Sequence, residues 1–395
     1  MKHNNTTVRF MYYNGNFVKF WKHDGVDVFY SGADVTYHVD GADYTEFVTY
    51  GQSCLAPTSF TPTKDGWTFA GWREDTAANG TVLTSKVMGT DPISLYAVFK
   101  QDITVTYYDN KDTASYEYGT RYYNNSNVAN PSFTLTQTDD PNWVERGWST
   151  SNKGDASITY DNKATFTRDS DITLYGLYSQ NIRLTYVANG SSSYKDGTRY
   201  WAPAGYINPT FTVSNPTKSG ATFQGWSATA GSTSIAMGTI SGLTINNAYT
   251  SMTYYAVFKY SDAPVPRQFF QTHDPFMPED GWLTAVGYMT LVPSVDFSKY
   301  SGITINFDSV GVVQDYLTCY AYIVAECGGA SVDLYYSYLE YTGTLYNSAT
   351  SGSKTLNFNK TSGSAVCRIG FRGNGHCSNG SFGASGTLLG RTVVG

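Results

Sequence analysis

The chain is dominated by short runs in which aromatic and β-branched residues alternate with polar ones. Ile103-Thr104-Val105-Thr106-Tyr107 and Ile182-Arg183-Leu184-Thr185-Tyr186 are two examples, and in both the first, third and fifth residues are apolar. Alternation with a period of two turns one apolar face toward a core and predicts a β-strand. We find no long stretch with the 3.6-residue period of a helix, so the pattern predicts an all-β protein.

Two further signals recur three times along the chain. The first is a Gly-Trp pair, and the second is a nearly continuous apolar run that follows it, such as Leu95-Tyr96-Ala97-Val98-Phe99. Self-similarity at a regular period marks a repeat architecture. We therefore predict three small modules, at residues 35–100, 101–180 and 181–260.

The Gly-Trp pairs are predicted to serve the cores of these modules and not to bind a ligand. A small module has little apolar core, and one indole fills much of it. A glycine before the tryptophan lets the backbone turn or approach another segment closely. The residues assigned to the cores are Gly71, Trp72, Gly147, Trp148, Gly225 and Trp226.

The two ends differ from the repeats. Residues 1–34 hold two aromatic-rich runs around Asn14-Gly15, a dipeptide that favours a type I′ hairpin turn. A docking segment and an extra hairpin of the first module fit this pattern equally well. After the repeats, two prolines predict a stiff linker at residues 261–266, and residues 267–395 contain short alternating runs separated by Gly/Ser turns, which predict a β-sandwich.

Composition agrees with an all-β chain and disfavours several functions. The 395 residues include 34 Tyr, 21 Phe and 8 Trp, which are residue types that suit strands. A net charge of −6 argues against a nucleic-acid-binding surface, because such a surface requires clustered Lys and Arg. No apolar run is long enough to span a membrane, and the N-terminus lacks the apolar core of a secretory signal. We therefore expect no nucleic-acid or membrane partner and no export by the usual route.

Five cysteines do not make a disulfide framework in a chain of this length. Because their number is odd and no secretory signal is seen, we expect reduced thiols. Cys367 and Cys377 flank a Gly-rich loop and are the first pair to test for a bridge.

No catalytic, cofactor or metal site is predicted. His376-Cys377 and Asp109-Asn110-Lys111-Asp112 lack the ligand spacing of metal sites, and we interpret them as a surface loop and a solvated turn. The tyrosines of the C-terminal part offer flat apolar faces with a polar rim, which suit a glycan or a protein partner. The surface predicted for this role consists of Tyr335, Tyr336, Tyr338 and Tyr341.

The region around the first Gly-Trp pair resembles a known repeat. Its pattern, Pro-x-Lys-x-Gly-x-Thr-Phe-x-Gly-Trp at residues 62–72 and Leu-Tyr-Ala-x-Phe at residues 95–99, is similar to the Listeria–Bacteroides repeat, also called the internalin B-repeat family. The resemblance spans residues 35–259 and is weakest in the second copy, where Asn142-Trp143-Val144-Glu145-Arg146 replaces the usual residues. It implies β-grasp-like spacer or adhesion modules without catalytic residues. The C-terminal part loosely resembles the jelly-roll sandwiches of phage fibres and carbohydrate-binding proteins.

Adhesion-type repeats without an export signal favour a bacteriophage virion protein, made in the host cytoplasm and released by lysis. We therefore predict an elongated, non-enzymatic fibre, decoration or host-attachment subunit, either a homo-oligomer or part of a larger assembly. Residues 1–34 would dock on other virion proteins, and the sandwich would contact a host glycan or protein. The alternative hypotheses are a fragment of a Gram-positive surface adhesin and a glycan hydrolase with accessory modules.

Overall fold

The computed structural model describes residues 2–3, 6–13, 16–23, 26–30, 32–109, 113–272, 284–314, 319–339, 346–347, 351–374 and 377–395. Side chains are described for residues 32–109, 113–270, 288–308, 323–334, 351–370 and 381–395. All regular structure in the described residues is β, arranged in several separate sheets. The all-β, multidomain prediction is therefore confirmed.

The chain forms two compact units. The first contains Met1–Asn181 and Thr198–Asn208, and the second contains Ile182–Gly197 and Pro209–Gly395. The first unit begins with an antiparallel sheet in the order β1-β2-β3-β4. Its strands are β1 (Lys2–His3), β2 (Thr6–Tyr13), β3 (Asn16–His23) and β4 (Val26–Tyr30). The turn predicted at Asn14-Gly15 lies outside the described residues.

Repeat 1 is a four-stranded mixed sheet. Its strands are β5 (Gly32–Val39), β6 (Ala42–Thr49), β7 (Thr68–Arg73) and β8 (Ile93–Tyr108). The order is β6-β5-β8-β7, in which β5 and β8 are parallel and each outer pair is antiparallel. Buried Tyr37, Trp72, Leu95 and Phe99 belong to one apolar cluster on this sheet.

Repeat 2 begins within the last strand of repeat 1. Its further strands are β9 (Ser115–Asn124), β10 (Asn127–Ala129), β11 (Ser132–Thr134), β12 (Val144–Ser149), β13 (Thr165–Thr167) and β14 (Ile172–Ala188). The second half of β8 pairs with β9 and, in parallel, with β14, and β12 pairs with β14. The boundaries predicted at 100/101 and 180/181 therefore fall inside β8 and β14, because one strand closes a repeat and opens the next.

Repeat 3 follows the same plan. Its further strands are β15 (Ser191–Ala202), β16 (Gly205–Ile207), β17 (Thr210–Val213), β18 (Ala221–Ser227), β19 (Ile240–Thr244) and β20 (Ser251–Tyr260). Within the second unit, β20 is parallel to β14 and antiparallel to β18. Ile182, Phe211, Trp226 and Phe258 are buried in one cluster.

The rest of the second unit is a sandwich of two antiparallel sheets. Its strands are β21 (Ala263–Thr272), β22 (Thr284–Asp296), β23 (Tyr300–Gln314), β24 (Cys319–Cys327), β25 (Ala330–Leu339), β26 (Tyr346–Asn347), β27 (Gly352–Asn357), β28 (Ser364–Asn374) and β29 (Cys377–Gly390), and β30 (Thr392–Val394) follows them in the sequence. One sheet has the order β21-β29-β23-β26, with β27 also on β23, and the other has the order β22-β28-β24-β25. Apolar residues of both sheets form one buried cluster.

Two connections differ from the sequence expectation. The segment predicted as a linker, 261–266, lies largely in β21, where Pro264 is opposite Thr387. Proline is tolerated there because β21 is an edge strand of its sheet. The last strand, β30, does not join the sandwich sheets but pairs with β20 of repeat 3.

The expectation of reduced thiols is wrong for one pair of cysteines. Cys327 and Cys367 form a disulfide with a Cα separation of 4.3 Å. They lie directly opposite each other on β24 and β28, at the short spacing that suits a cross-strand bridge. Cys367 is therefore not available to Cys377, the partner suggested by the sequence. Cys54 is free and buried in repeat 1.

Candidate functional site

The glycine of each Gly-Trp pair lies at a β-bulge beside the closing strand of its repeat. The register shifts immediately before Gly71, Gly147 and Gly225, and their φ angles are +142°, +119° and +143°. A Cβ atom on Gly147 or Gly225 would lie 2.7 Å from a backbone carbonyl oxygen. These positions therefore need glycine both for the positive φ and for the close backbone approach.

The bulge turns the following tryptophan into the core. Trp72, Trp148 and Trp226 are each at most 1% exposed. The indole Nε1 of Trp72 donates to the carbonyl oxygen of Leu55 at 3.1 Å, while Trp148 and Trp226 are surrounded by apolar groups of their own clusters. The structure thus places all three predicted tryptophans in the apolar clusters of their modules.

A cross-strand pair next to the tryptophan distinguishes repeat 2 from the other two. In repeat 1, Phe69 lies opposite Phe99, with ring centroids 5.8 Å apart at 68°. In repeat 3, Phe223 and Phe258 have the same distance and angle. In repeat 2, the corresponding pair is Glu145 and Tyr178. The second ring of the pair is therefore missing from repeat 2.

A pocket of about 180 Å³ lies against Tyr178 in the first unit. Its wall consists of Asp140, Trp143, Tyr178, Trp201 and Tyr206. Trp201 contacts Tyr178 edge to face with centroids 5.6 Å apart, and Trp143 and Tyr206 lie 5.9 Å apart at 35°. Four aromatic rings and one carboxylate thus converge on one small cavity.

The hairpin β15–β16 and the loop before β12 position these side chains. Trp201 and Tyr206 are opposite each other in the hairpin. Asp140 begins a turn in which its Oδ1 accepts the Asn142 N–H at 2.9 Å and its carbonyl accepts the Trp143 N–H at 3.1 Å. The turn holds the carboxylate and the indole at adjacent places on the wall.

The hydroxyl of Tyr178 is fixed within the protein. It donates to Asp109 Oδ1, and Asp109 Oδ2 accepts the Thr138 N–H at 2.7 Å. Burial, reinforced by the adjacent carboxylates of Asp109 and Glu145, raises the pKa of Tyr178 far above its ordinary value. Asp109 was interpreted as part of a solvated turn, but its carboxylate instead anchors Tyr178. Residues 110–112 lie outside the described part of the chain.

A buried guanidinium lies beside the pocket. Arg199, two residues before Trp201 on β15, is 1% exposed. It donates to Asn208 Oδ1 at 2.5 Å and to Gln180 Oε1 at 3.0 Å. Gln180 in turn donates to the carbonyl of Asn142 at 2.9 Å. This chain of hydrogen bonds connects the hairpin with the loop that carries Asp140 and Trp143.

The pocket was not predicted from the sequence, although a signal was present. The pattern of repeat 2 departs from its neighbours at residues 142–146, and this departure contains both Trp143 and Glu145.

The predicted C-terminal aromatic surface remains a prediction. Tyr335, Tyr336 and Tyr338 lie on β25, but their side chains are outside the described part, and so is all of Tyr341.

The second unit has another cavity, of about 450 Å³, beside the disulfide, with Glu326 and Arg368 on its wall. The described residues contain no group of three or more potential metal ligands. They also contain no helix with the length and apolarity of a membrane span.

Comparison with known families agrees with the repeat geometry. Residues 34–98 and 183–256 match the Listeria-Bacteroides repeat domain. The resemblance inferred for repeats 1 and 3 is thereby confirmed. The second copy, which contributes Asp140, Trp143 and Tyr178 to the pocket, lies outside both matched segments, and its kinship with the other two rests on the common sheet plan described above.

Solved structures give only remote likenesses. A chain from the structure of infectious bursal disease virus Gx strain is 8% identical, with a TM-score of 0.18, over 76% of this chain and 78% of that chain. A chain from the Gt strain is 9% identical, with a TM-score of 0.17, over 86% and 78%. Likeness at this level carries no argument about fold or function.

Proposed function

We propose that this protein is a non-enzymatic structural and attachment subunit of a bacteriophage particle, in which the repeats act as a spacer. Residues 1–34 dock on another virion protein, and the sandwich contributes binding or assembly. The supporting observation is the way modules are joined within each unit. Repeats 1 and 2 share β8, and repeat 3 is paired with β30 of the sandwich region. Modules joined through common sheets keep a fixed geometry, which suits a spacer.

The disulfide between Cys327 and Cys367 supports a location outside the reducing cytoplasm. Disulfides persist in extracellular proteins and on virion and cell surfaces, while cytosolic thiols are kept reduced. A particle released by lysis and a protein on a cell surface both meet this condition.

Quantitative mass spectrometry of purified particles and of host-envelope fractions tests the proposal. We expect the protein to copurify with particles at a constant ratio to their major structural proteins. Its absence from particles would contradict the proposal.

The alternative is a fragment of a Gram-positive surface adhesin. The Listeria-Bacteroides repeat match favours it, since such repeats are expected in surface and adhesive proteins. Enrichment in envelopes of uninfected cells would support this alternative instead.

A further inference from the structure

We propose that the pocket formed by Asp140, Trp143, Tyr178, Trp201 and Tyr206 binds one neutral sugar residue, a hexose or an N-acetylhexosamine, of a surface glycan. The proposal rests on the attachment function above and names the chemistry of the receptor. It also places recognition where the loop before β12 meets the β15–β16 hairpin, whereas the sequence predicted the C-terminal tyrosines.

The first argument is how the pocket arises. Phe69 and Phe223 fill the position next to the closing strand in repeats 1 and 3 by packing against Phe99 and Phe258. Repeat 2 has the carboxylate of Glu145 at this position, opposite Tyr178. Losing an aromatic ring from a module with so small a core costs stability. The pocket lies against Tyr178, the residue opposite the substituted position, and a role in binding explains the substitution better than packing does.

The second argument is the two-sided chemistry of the wall. Trp143 and Tyr206 are inclined by 35° to each other, so their rings form a broad, nearly continuous apolar surface. Asp140 is half-buried beside them, and only its Oδ1 accepts a hydrogen bond from the described residues. Its Oδ2 can accept a hydrogen bond from a ligand hydroxyl. A pyranose offers this combination, because its C–H face is apolar and its rim carries hydroxyl groups.

The third argument concerns charge. Aromatic rings near a carboxylate can also hold an alkylated ammonium ion. Here the buried Arg199 guanidinium lies two residues before Trp201 and interacts electrostatically with Tyr206 on the pocket wall. A second cation would be repelled by it, whereas a neutral sugar would not.

The size of the pocket limits the ligand. Its volume of about 180 Å³ is below the range of about 300–1,000 Å³ typical of sites for drug-sized ligands. It therefore suits one sugar residue and not an extended oligosaccharide. Tyr206 is 46% exposed at the mouth, so neighbouring residues of a glycan could extend into solvent.

The test is binding of methyl glycosides to the purified full chain. The probes are the methyl glycosides of glucose, galactose, mannose, N-acetylglucosamine and N-acetylgalactosamine, with choline chloride for comparison. Saturation-transfer NMR and tryptophan fluorescence report binding. We expect at least one methyl glycoside to bind with a dissociation constant on the order of 1 mM, and choline not to bind.

Three variants locate the site. Glu145→Phe restores the residue of repeats 1 and 3 opposite Tyr178, and we expect its ring to pack against Tyr178, weaken binding at least about tenfold and keep or raise thermal stability. Trp143→Ala and Asp140→Asn should each weaken binding by about tenfold. Tyr118→Ala, which removes an aromatic side chain that is 72% exposed on β9, is the matched control and should bind like the parent chain.

Several results would overturn the proposal. They are failure of all five methyl glycosides to bind, binding of choline instead, and glycoside binding that Glu145→Phe and Trp143→Ala leave unchanged. These measurements use the isolated chain, so their failure is distinguishable from absence of the protein from particles, which concerns the proposed function.

Discussion

Val393 of β30 lies directly opposite Phe258, the last aromatic residue in the closing run of repeat 3. In repeat 1, Tyr123 of β9 has this place opposite Phe99. Strand β30 therefore pairs with β20 of repeat 3 at the place where β9, the first further strand of repeat 2, pairs with β8. The register is the same to the residue, because Lys259 pairs with Thr392 as Lys100 pairs with Tyr122.

Disrupting this pairing should destabilise the second unit. Val393 packs against the core of repeat 3, so Val393→Asp would place a carboxylate against apolar groups. We expect a loss of about 2 kcal/mol in the free energy of unfolding and faster hydrogen exchange of the amides at 257–259. Val366→Asp, at a valine 38% exposed in the same unit, is the control. Equal effects of the two variants would show that β30 adds nothing to the stability of repeat 3.

The bulge glycines should tolerate no side chain. Gly225→Ala would force alanine into a φ of +143° and bring its Cβ within 2.7 Å of the carbonyl oxygen of Met237. We expect the free energy of unfolding to fall by about 3 kcal/mol. Gly190→Ala meets no atom within 4 Å at a φ of +75°, and should cost only about 1 kcal/mol. Urea unfolding of both variants measures the difference. Similar costs would mean that the close backbone approach is unimportant.

Alkaline pH should weaken the first unit through Tyr37. Its hydroxyl donates to the carbonyl of Cys54 at 2.9 Å, and burial, aided by nearby Glu46 and Cys54, raises the pKa of Tyr37 to about 12. The unfolded chain then loses this proton first, so the stabilising contribution is complete below pH 10 and is lost between about pH 10 and 12. It amounts to at most about 3 kcal/mol.

Tyr37→Phe isolates this contribution. The variant should show a smaller fall in unfolding free energy between pH 9 and pH 11 than the parent chain, although it is less stable at neutral pH. Tyr50→Phe, at a tyrosine 56% exposed in the same repeat, should follow the parent curve. An unchanged slope in Tyr37→Phe would assign the alkaline loss to other groups, such as the buried Cys54 thiol, whose pKa is also raised by burial.

Peptide mapping without reductant should recover a crosslink between Cys327 and Cys367, with Cys54 free. The bridge closes a loop with a sequence separation of 40, so Cys327→Ser should lower the stability of the second unit by up to about 4 kcal/mol. Reductant should have the same effect on the parent chain and none on the variant. Recovery of a Cys367–Cys377 crosslink would contradict the structure.

The sequence predicted most strands and the three tryptophan cores because both depend on local pattern. Alternation placed Ile103, Val105 and Tyr107 on one strand, and the structure agrees. The same pattern could not reveal that closing and opening strands are continuous, since Phe99 to Ile103 contains polar Lys100, Gln101 and Asp102, which read as a boundary.

Pairing between strands that are distant in the sequence could not be predicted from local patterns. The partner of Cys367 depends on the register between β24 and β28, which no local spacing specifies. The pocket likewise joins a loop of repeat 2 with the β15–β16 hairpin, and only the fold brings Trp143 to Tyr206. Aligning the three copies would have flagged Glu145, because it replaces phenylalanine in a position otherwise given to the core.

We propose that this protein is carried on a virus particle, where its repeats act as a spacer and its ends attach. Immunogold electron microscopy of intact particles, with antibody against the repeats, tests this location. We expect label at a regular position on particles and none on uninfected host cells. Label on the surface of uninfected cells, with none on particles, would overturn the proposal and support the surface-adhesin alternative.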